Sequence, residues 1–275
     1  MSPRAVFIVS SGRSGTAMME KLFRALPGVE MHHEYMVHIT QKLGCRYAMG
    51  LAGDDEAAAI LRETHLAAAA HSAAPVWGDS SNKLSWLIRP LARLMPEARF
   101  VHLTRDGRKV AGSYLRKLGE ECYDDGSTAA LAGWLAAPDG IPPPPEKRYW
   151  WPHPTADDPD AARWPGFDQF ERIAWHWNAI NREIALACSD LPAGRTLRVR
   201  LEDLVADRAV FERFIRFCWC DPTEDAFAML GRPHNVNRPE DAPLTPAQDR
   251  AFWRIAAEQM NALGYAGEPE YAMRY

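Results

Sequence analysis

Four short clusters of polar residues in this chain have the types and spacing to do chemistry. The first is Ser10-Ser11-Gly12-Arg13-Ser14-Gly15-Thr16, which follows an apolar, β-branched run. Two glycines allow a tight turn, the helix that follows offers free N–H groups, and Arg13 adds a fixed positive charge, which is the make-up of a phosphate cradle. It is not a Walker A box, because no Lys precedes the Thr. The second cluster is His32-His33-Glu34, a carboxylate beside two imidazoles and so a candidate for proton transfer near neutral pH. The third, Asp79-Ser80-Ser81-Asn82-Lys83, ends on an ammonium group. In the fourth, Arg105-Asp106-Gly107-Arg108, Ser113 lies eight residues beyond Arg105. About two helical turns bring that hydroxyl back to nearly the same face, where the pair could hold a second phosphate.

These clusters need elements to bring them together, and the hydrophobic pattern supplies them. Strands are expected over residues 5–10, 29–33, 76–79, 99–104 and 196–201. Helices are expected over 16–26, 54–70, 84–94, 107–118 and 207–219, with a last one starting at the Thr245-Pro246 cap. Strand followed by helix, repeated, implies βαβ units and an α/β domain with a parallel sheet covered on both faces. In such sheets ligands sit beyond the carboxyl ends of the strands, and all four polar clusters follow strand ends. One domain covering residues 1–275 is the expectation, with a Pro- and Trp-rich insertion or lid at about 119–170.

Composition narrows the function classes. Lys+Arg 32 against Asp+Glu 36 gives a net charge of −4, which argues against general nucleic-acid binding but leaves room for a local anion pocket. The five cysteines are scattered, apart from Cys218 and Cys220, and read as buried free thiols with no zinc spacing. No signal-peptide pattern and no long apolar run is present, so a cytoplasmic location and no membrane span are expected. Six of the ten tryptophans (Trp134, Trp150, Trp151, Trp164, Trp175 and Trp177) fall between residues 134 and 177. The clustering reads as a lid or acceptor wall with flat apolar faces, or as a lid packed upon itself.

Ser11-Gly12-Arg13-Ser14-Gly15-Thr16 resembles the 5′-phosphosulfate loop of sulfotransferases that use 3′-phosphoadenosine 5′-phosphosulfate (PAPS), and Arg105-Asp106-Gly107-Arg108 through Ser113 resembles their 3′-phosphate motif. Leu201-Glu202-Asp203-Leu204 and Leu263-Gly264-Tyr265 are similar to two later motifs of that family. The resemblance implies a P-loop NTPase-like three-layer fold and in-line sulfonate transfer from PAPS to a hydroxyl acceptor (a glycan, a lipid or another small molecule), with no metal. It further implies that Gly12, Arg13, Ser14, Gly15, Thr16 and Ala17 hold the 5′-phosphosulfate and that Arg105 and Ser113 hold the 3′-phosphate. Lys83 matches the family lysine that neutralises the leaving oxygen. Glu34 stands twenty-one residues after Arg13, the spacing of the base in the tyrosylprotein branch, and His33 is the competing base. In the cytosolic branch the base position corresponds to Ser85. Departures from the family pattern are Ala17, Met18 and Leu201, so adenine recognition must use other residues, Trp77 or Trp86 among the candidates. The stretch 232–238 is a candidate for the late basic loop. A P-loop kinase-like phosphotransferase and a non-catalytic nucleotide-binding protein on the same fold remain as alternatives, and oligomeric state is left open.

Overall fold

The computed structural model describes residues 4–231 and 243–269. The candidate basic loop at 232–238 therefore lies outside the described residues. Five parallel strands form one sheet in the order β2-β3-β1-β4-β5. They are β1 (Arg4–Val9), β2 (Val29–His33), β3 (Val76–Ser80), β4 (Arg99–Thr104) and β5 (Thr196–Arg200). Central β1 is flanked by β3 and β4 and is buried from Ala5 onward. Its alternating side chains enter two apolar layers, as the pleat requires. Ala5, Phe7 and Val9 pack with Trp77, Leu84, Ile88 and Phe100 on one face, while Val6 and Ile8 pack with Met19, Phe23, Val101 and Phe214 on the other. The expected α/β architecture is present, with helices covering both faces.

The helices in chain order are α1 (Thr16–Arg24), α2 (Val37–Ala48), α3 (Asp54–Leu61), α4 (Ala67–His71), α5 (Ile88–Leu94), α6 (Gly107–Leu118), α7 (Asp125–Ala136), α8 (Gln169–Ser189), α9 (Leu201–Ala206), α10 (Arg208–Phe217), α11 (Glu224–Leu230) and α12 (Pro246–Ala262). Two expected helices differ in detail. The one over 54–70 is interrupted by a π-helical turn at Arg62–Leu66, which directs Thr64 and His65 inward. The one over 84–94 opens as a 3₁₀ turn at Lys83–Trp86, and α5 begins only at Ile88. A helix begun at 84 would place Pro90 in its interior, where the ring clashes with the preceding turn; begun at 88, Pro90 sits harmlessly in the first turn.

Helix α8, unmarked in the sequence reading, is the longest element and starts from a complete capping box of Asp168 and Glu171. It carries Trp175 and Trp177 into a core shared with α6 and α12, where Trp177 meets Phe252. Trp150 and Trp151 are also buried. The tryptophan cluster is therefore chiefly packing within the molecule and not an open wall of flat faces. Trp77 is buried to 1% among Phe7, His65 and Tyr35, with no face left for an adenine. The five cysteines are free thiols, as expected.

Candidate active site

The loop after β1 is held in a shape that few residues tolerate. Gly12 and Gly15 have φ of 79° and 95°, and Arg13 has φ of 52°. A Cβ on Gly12 would lie 1.9 Å from the Tyr114 hydroxyl, which donates to the Ser11 carbonyl at 3.0 Å. Glycine at 12 thus serves both the turn and the close approach of α6. Ser14 Oγ donates back to the Gly12 carbonyl at 3.0 Å and closes the turn. Helix α1 follows with no acidic residue in its first turn and no side-chain cap at Gly15. Among the described residues, nothing accepts a hydrogen bond from the N–H groups of Ser14, Gly15, Thr16 and Ala17. Four converging donors at a helix N-terminus, beside a guanidinium, fit a phosphate- or sulfate-bearing group.

The fourth strand end joins this loop directly. Arg13 Nε donates to Ser113 Oγ at 3.1 Å, and Arg105 Nη1 donates to the Arg13 carbonyl at 2.8 Å. Burial and the neighbouring charges of Arg13, Arg105 and Arg116 push the Lys117 pKa down, so the local field is strongly positive. The later motifs support the same turn from behind. Glu202 accepts from the Asp106 N–H at 3.0 Å and from the Tyr265 hydroxyl at 2.9 Å. Asp106 in turn caps α6 by accepting from the Arg108 N–H.

Across the sheet edge stand Glu34 and Lys83. Glu34 sits just beyond β2 with φ of 54°, a left-handed conformation that is costly for a non-glycine residue. Three bonds fix this turn: Glu34 N–H to the Ser80 carbonyl at 3.3 Å, His33 Nδ1 to that same oxygen at 2.8 Å, and Tyr35 N–H to Asp79 Oδ1 at 3.2 Å. Asp79 is fully buried and faces His65 Nε2 at 3.4 Å, so the π-helical turn props the Glu34 turn from below. Burial raises the Glu34 pKa, but Lys83, Lys147 and His33 outweigh it, and the carboxyl lies below the usual carboxylate range. Lys147 Nζ, from the insertion, donates to Glu34 Oε2 at 3.1 Å. Asn82, with its amide nitrogen turned to the carboxylate, donates to Glu34 Oε1 at 3.1 Å and accepts from Lys83 Nζ at 3.3 Å. Lys83 is buried, its pKa lowered by that burial, and its ammonium lies 4.6 Å from the centre of the Trp151 ring. His32 turns away to Glu30. Ser85 is buried and exchanges hydrogen bonds with the Ser10 N–H and carbonyl, tying the third strand end to the first.

Residues 3–137 match the sulfotransferase family model. These residues belong to the sulfotransferase family. A sulfotransferase from Mycobacterium avium has the same fold at 14% identity, with a TM-score of 0.53 over 98% of this chain and 79% of that one. A sulfotransferase from Alicyclobacillus acidocaldarius is 12% identical, covering 96% of this chain and 95% of that one, with a TM-score of 0.49. No curated protein matches the chain. The general chemistry of this sulfotransferase is thus sulfonate transfer, on a P-loop-like scaffold. Among the described residues, no helix is long and apolar enough to cross a membrane, and no cluster of His, Cys, Asp and Glu is arranged to hold a metal.

The structure brings Gly12, Arg13, Ser14, Gly15, Thr16, Ala17, Arg105 and Ser113 into one group, and Glu34, His33 and Lys83 into a second beside it. Asn82, Tyr114 and Lys147 join these groups although the sequence reading gave them no role, and Trp151 joins them from the tryptophan cluster read as a lid or acceptor wall. Asn82 and Tyr114 carry a local signal, since each lies next to or within a recognised motif. Lys147 has none. It lies between α7 and α8, where prolines erase any periodicity.

Proposed function

We propose that this sulfotransferase takes its sulfonate from PAPS and transfers it to a hydroxyl acceptor, with Glu34 as general base. The observation that carries the reading is the pairing of two anion-binding groups with an adjacent carboxylate and ammonium. The unpartnered N–H groups of residues 14–17 with Arg13 suit a 5′-phosphosulfate, and Arg105 with Ser113 suits a 3′-phosphate. Bound there, the donor supplies a sulfonate on a bridging oxygen that becomes the leaving group.

The chain's own residues supply positioning and charge balance. Glu34 is ionised near neutral pH and takes the proton of the acceptor hydroxyl as the new O–S bond forms. The Lys83 ammonium neutralises the charge left on the bridging oxygen. Asn82 spans the two and fixes their separation. His33, with Nδ1 committed to the Ser80 carbonyl, holds the turn that presents Glu34 and is the second candidate for the base. A phosphotransferase is disfavoured by the absence of a lysine in the first loop. Incubation with labelled PAPS and, separately, labelled ATP across a panel of hydroxyl acceptors tests the reading. Transfer of labelled sulfonate alone is expected, and transfer of labelled phosphate alone would overturn it.

A further inference from the structure

Both carboxylate oxygens of Glu34 are already engaged by the protein itself. Asn82 donates to Oε1 at 3.1 Å, and Lys147 Nζ donates to Oε2 at 3.1 Å. The two partners differ in kind. Asn82 is buried in the turn after β3. The Lys147 side chain is 39% exposed and arrives from the segment between α7 and α8. Glu34 is itself 20% exposed, so Lys147 closes the less buried approach to the carboxylate.

The backbone that carries Lys147 is pinned on both sides. Pro142 to Pro145 precede it and restrict the chain. Trp150, three residues on, is buried; its Nε1 donates to the Pro144 carbonyl at 2.7 Å, and its own carbonyl accepts from Gln41. Arg148 donates to Ser127 Oγ at 2.9 Å and to Asp124 Oδ1 at 3.0 Å. These anchors hold Lys147 opposite Glu34 without help from the ion pair, and only the lysine side chain is left to move. Stability is a poor reason for such a contact, because partly exposed ion pairs contribute little. Its effect falls on the carboxylate: with Nζ seated on Oε2, neither water nor a hydroxyl can take that place.

We propose that Lys147 is a guard on Glu34, keeping water off the carboxylate while the donor is bound alone and yielding its place to the acceptor hydroxyl. The inference rests on the sulfonate-transfer reading with Glu34 as base. A base beside a bound sulfonate donor also activates water if water reaches it. The water oxygen then bonds to sulfur as the bridging S–O bond breaks, and the electron pair stays on the 5′-phosphate of the nucleotide. Glu34 takes the water proton and releases it to solvent, so the donor is lost as sulfate and 3′-phosphoadenosine 5′-phosphate. An acceptor held by further contacts has binding energy to spend on displacing the ammonium, and a single water has none. The pinned backbone keeps the displaced ammonium near the carboxylate, where it still acts as a neighbouring charge.

The test is acceptor-free cleavage of labelled PAPS by the full chain, followed as labelled sulfate at about pH 8, where Glu34 is ionised with or without Lys147. Lys147→Met is expected to release sulfate about 5-fold or more faster than the unaltered chain, the factor that opening a partly exposed ion pair supplies. Lys147→Arg keeps a cationic donor on the same segment and should restore the restraint. Adding Glu34→Gln to Lys147→Met should abolish the gain. Calorimetry with 3′-phosphoadenosine 5′-phosphate is expected to give equal affinity for every variant, so that a rate change reads the guard and not a disturbed donor site. No gain in Lys147→Met, or a gain that persists with Glu34→Gln, overturns the guard and leaves sulfonate transfer standing. Failure of the unaltered chain to bind PAPS in calorimetry would instead overturn the donor reading, and the guard with it.

Discussion

Glu34 is ionised before any acceptor arrives, and its neighbours are what keep it so. Replacing it with Gln preserves the shape of the turn and removes the proposed base. On the proposed mechanism, turnover is expected to fall by about 100-fold or more, the usual contribution of a general base, with nucleotide affinity unchanged in calorimetry. On the same reading, Lys147 sets the pH range over which the proposed base works. A general base is active only when deprotonated, so the rate is lost as pH falls through its pKa. Because Lys147 helps hold the Glu34 pKa down, Lys147→Met should raise it and shift the acid limb of the kcat profile to higher pH. An unmoved limb would show that the ionic contact does not persist in the working enzyme. Arg105 is expected to act on binding and not on chemistry. Arg105→Ala should weaken nucleotide binding by about 1.5–3 kcal/mol, the worth of a charged hydrogen bond, with kcat at saturation nearly unchanged.

At the scale of elements, the Glu34 turn depends on a chain of supports from residues distant in sequence. The π-helical turn delivers His65 to Asp79, Asp79 bonds the Tyr35 N–H, and the left-handed backbone at Glu34 is held as a result. Asp79→Ala leaves Nε2 of the buried His65 ring and the Tyr35 N–H without their partner, while His65 Nδ1 keeps Thr64. It should cost about 1–3 kcal/mol of stability and lower kcat while leaving nucleotide affinity intact, as melts and steady-state kinetics will read. Asp79→Asn keeps an acceptor oxygen for Tyr35 and is expected to retain most of the activity. The insertion also acts as an element. Lys147 and Trp151 contact the two central residues of the site, while Trp150 anchors the same segment to Gln41.

For the whole molecule, the net charge of −4 conceals a cationic patch in which burial and the charges of Arg13, Arg105 and Arg116 depress the Lys117 pKa. Attraction of an anionic donor to that locus is screened by salt, so the KM for the donor should rise steadily with ionic strength while kcat changes little. The same contrast explains what the sequence could reveal. The glycine loop, the strand ends and the Arg105–Ser113 spacing are local patterns, and the parallel sheet carries each to one edge automatically. The tryptophan-rich segment defeated local reading because burial, not type, decides what a Trp does. Trp175 and Trp177 belong to a central helix, while the Trp151 ring reaches Lys83. Nothing in the vicinity of Lys147 announces a partner 113 residues away.

The π-helical turn at Arg62–Leu66 has a consequence for how this chain can change its length. An α-helix rotates by about 100° per residue, so deleting one residue there would restore regular winding and swing the imidazole away from Asp79. Point changes on the exposed side of this helix leave the arrangement alone. A one-residue shortening, far from the loops where such deletions are usually absorbed, would instead reach the Glu34 turn through the buried Asp79.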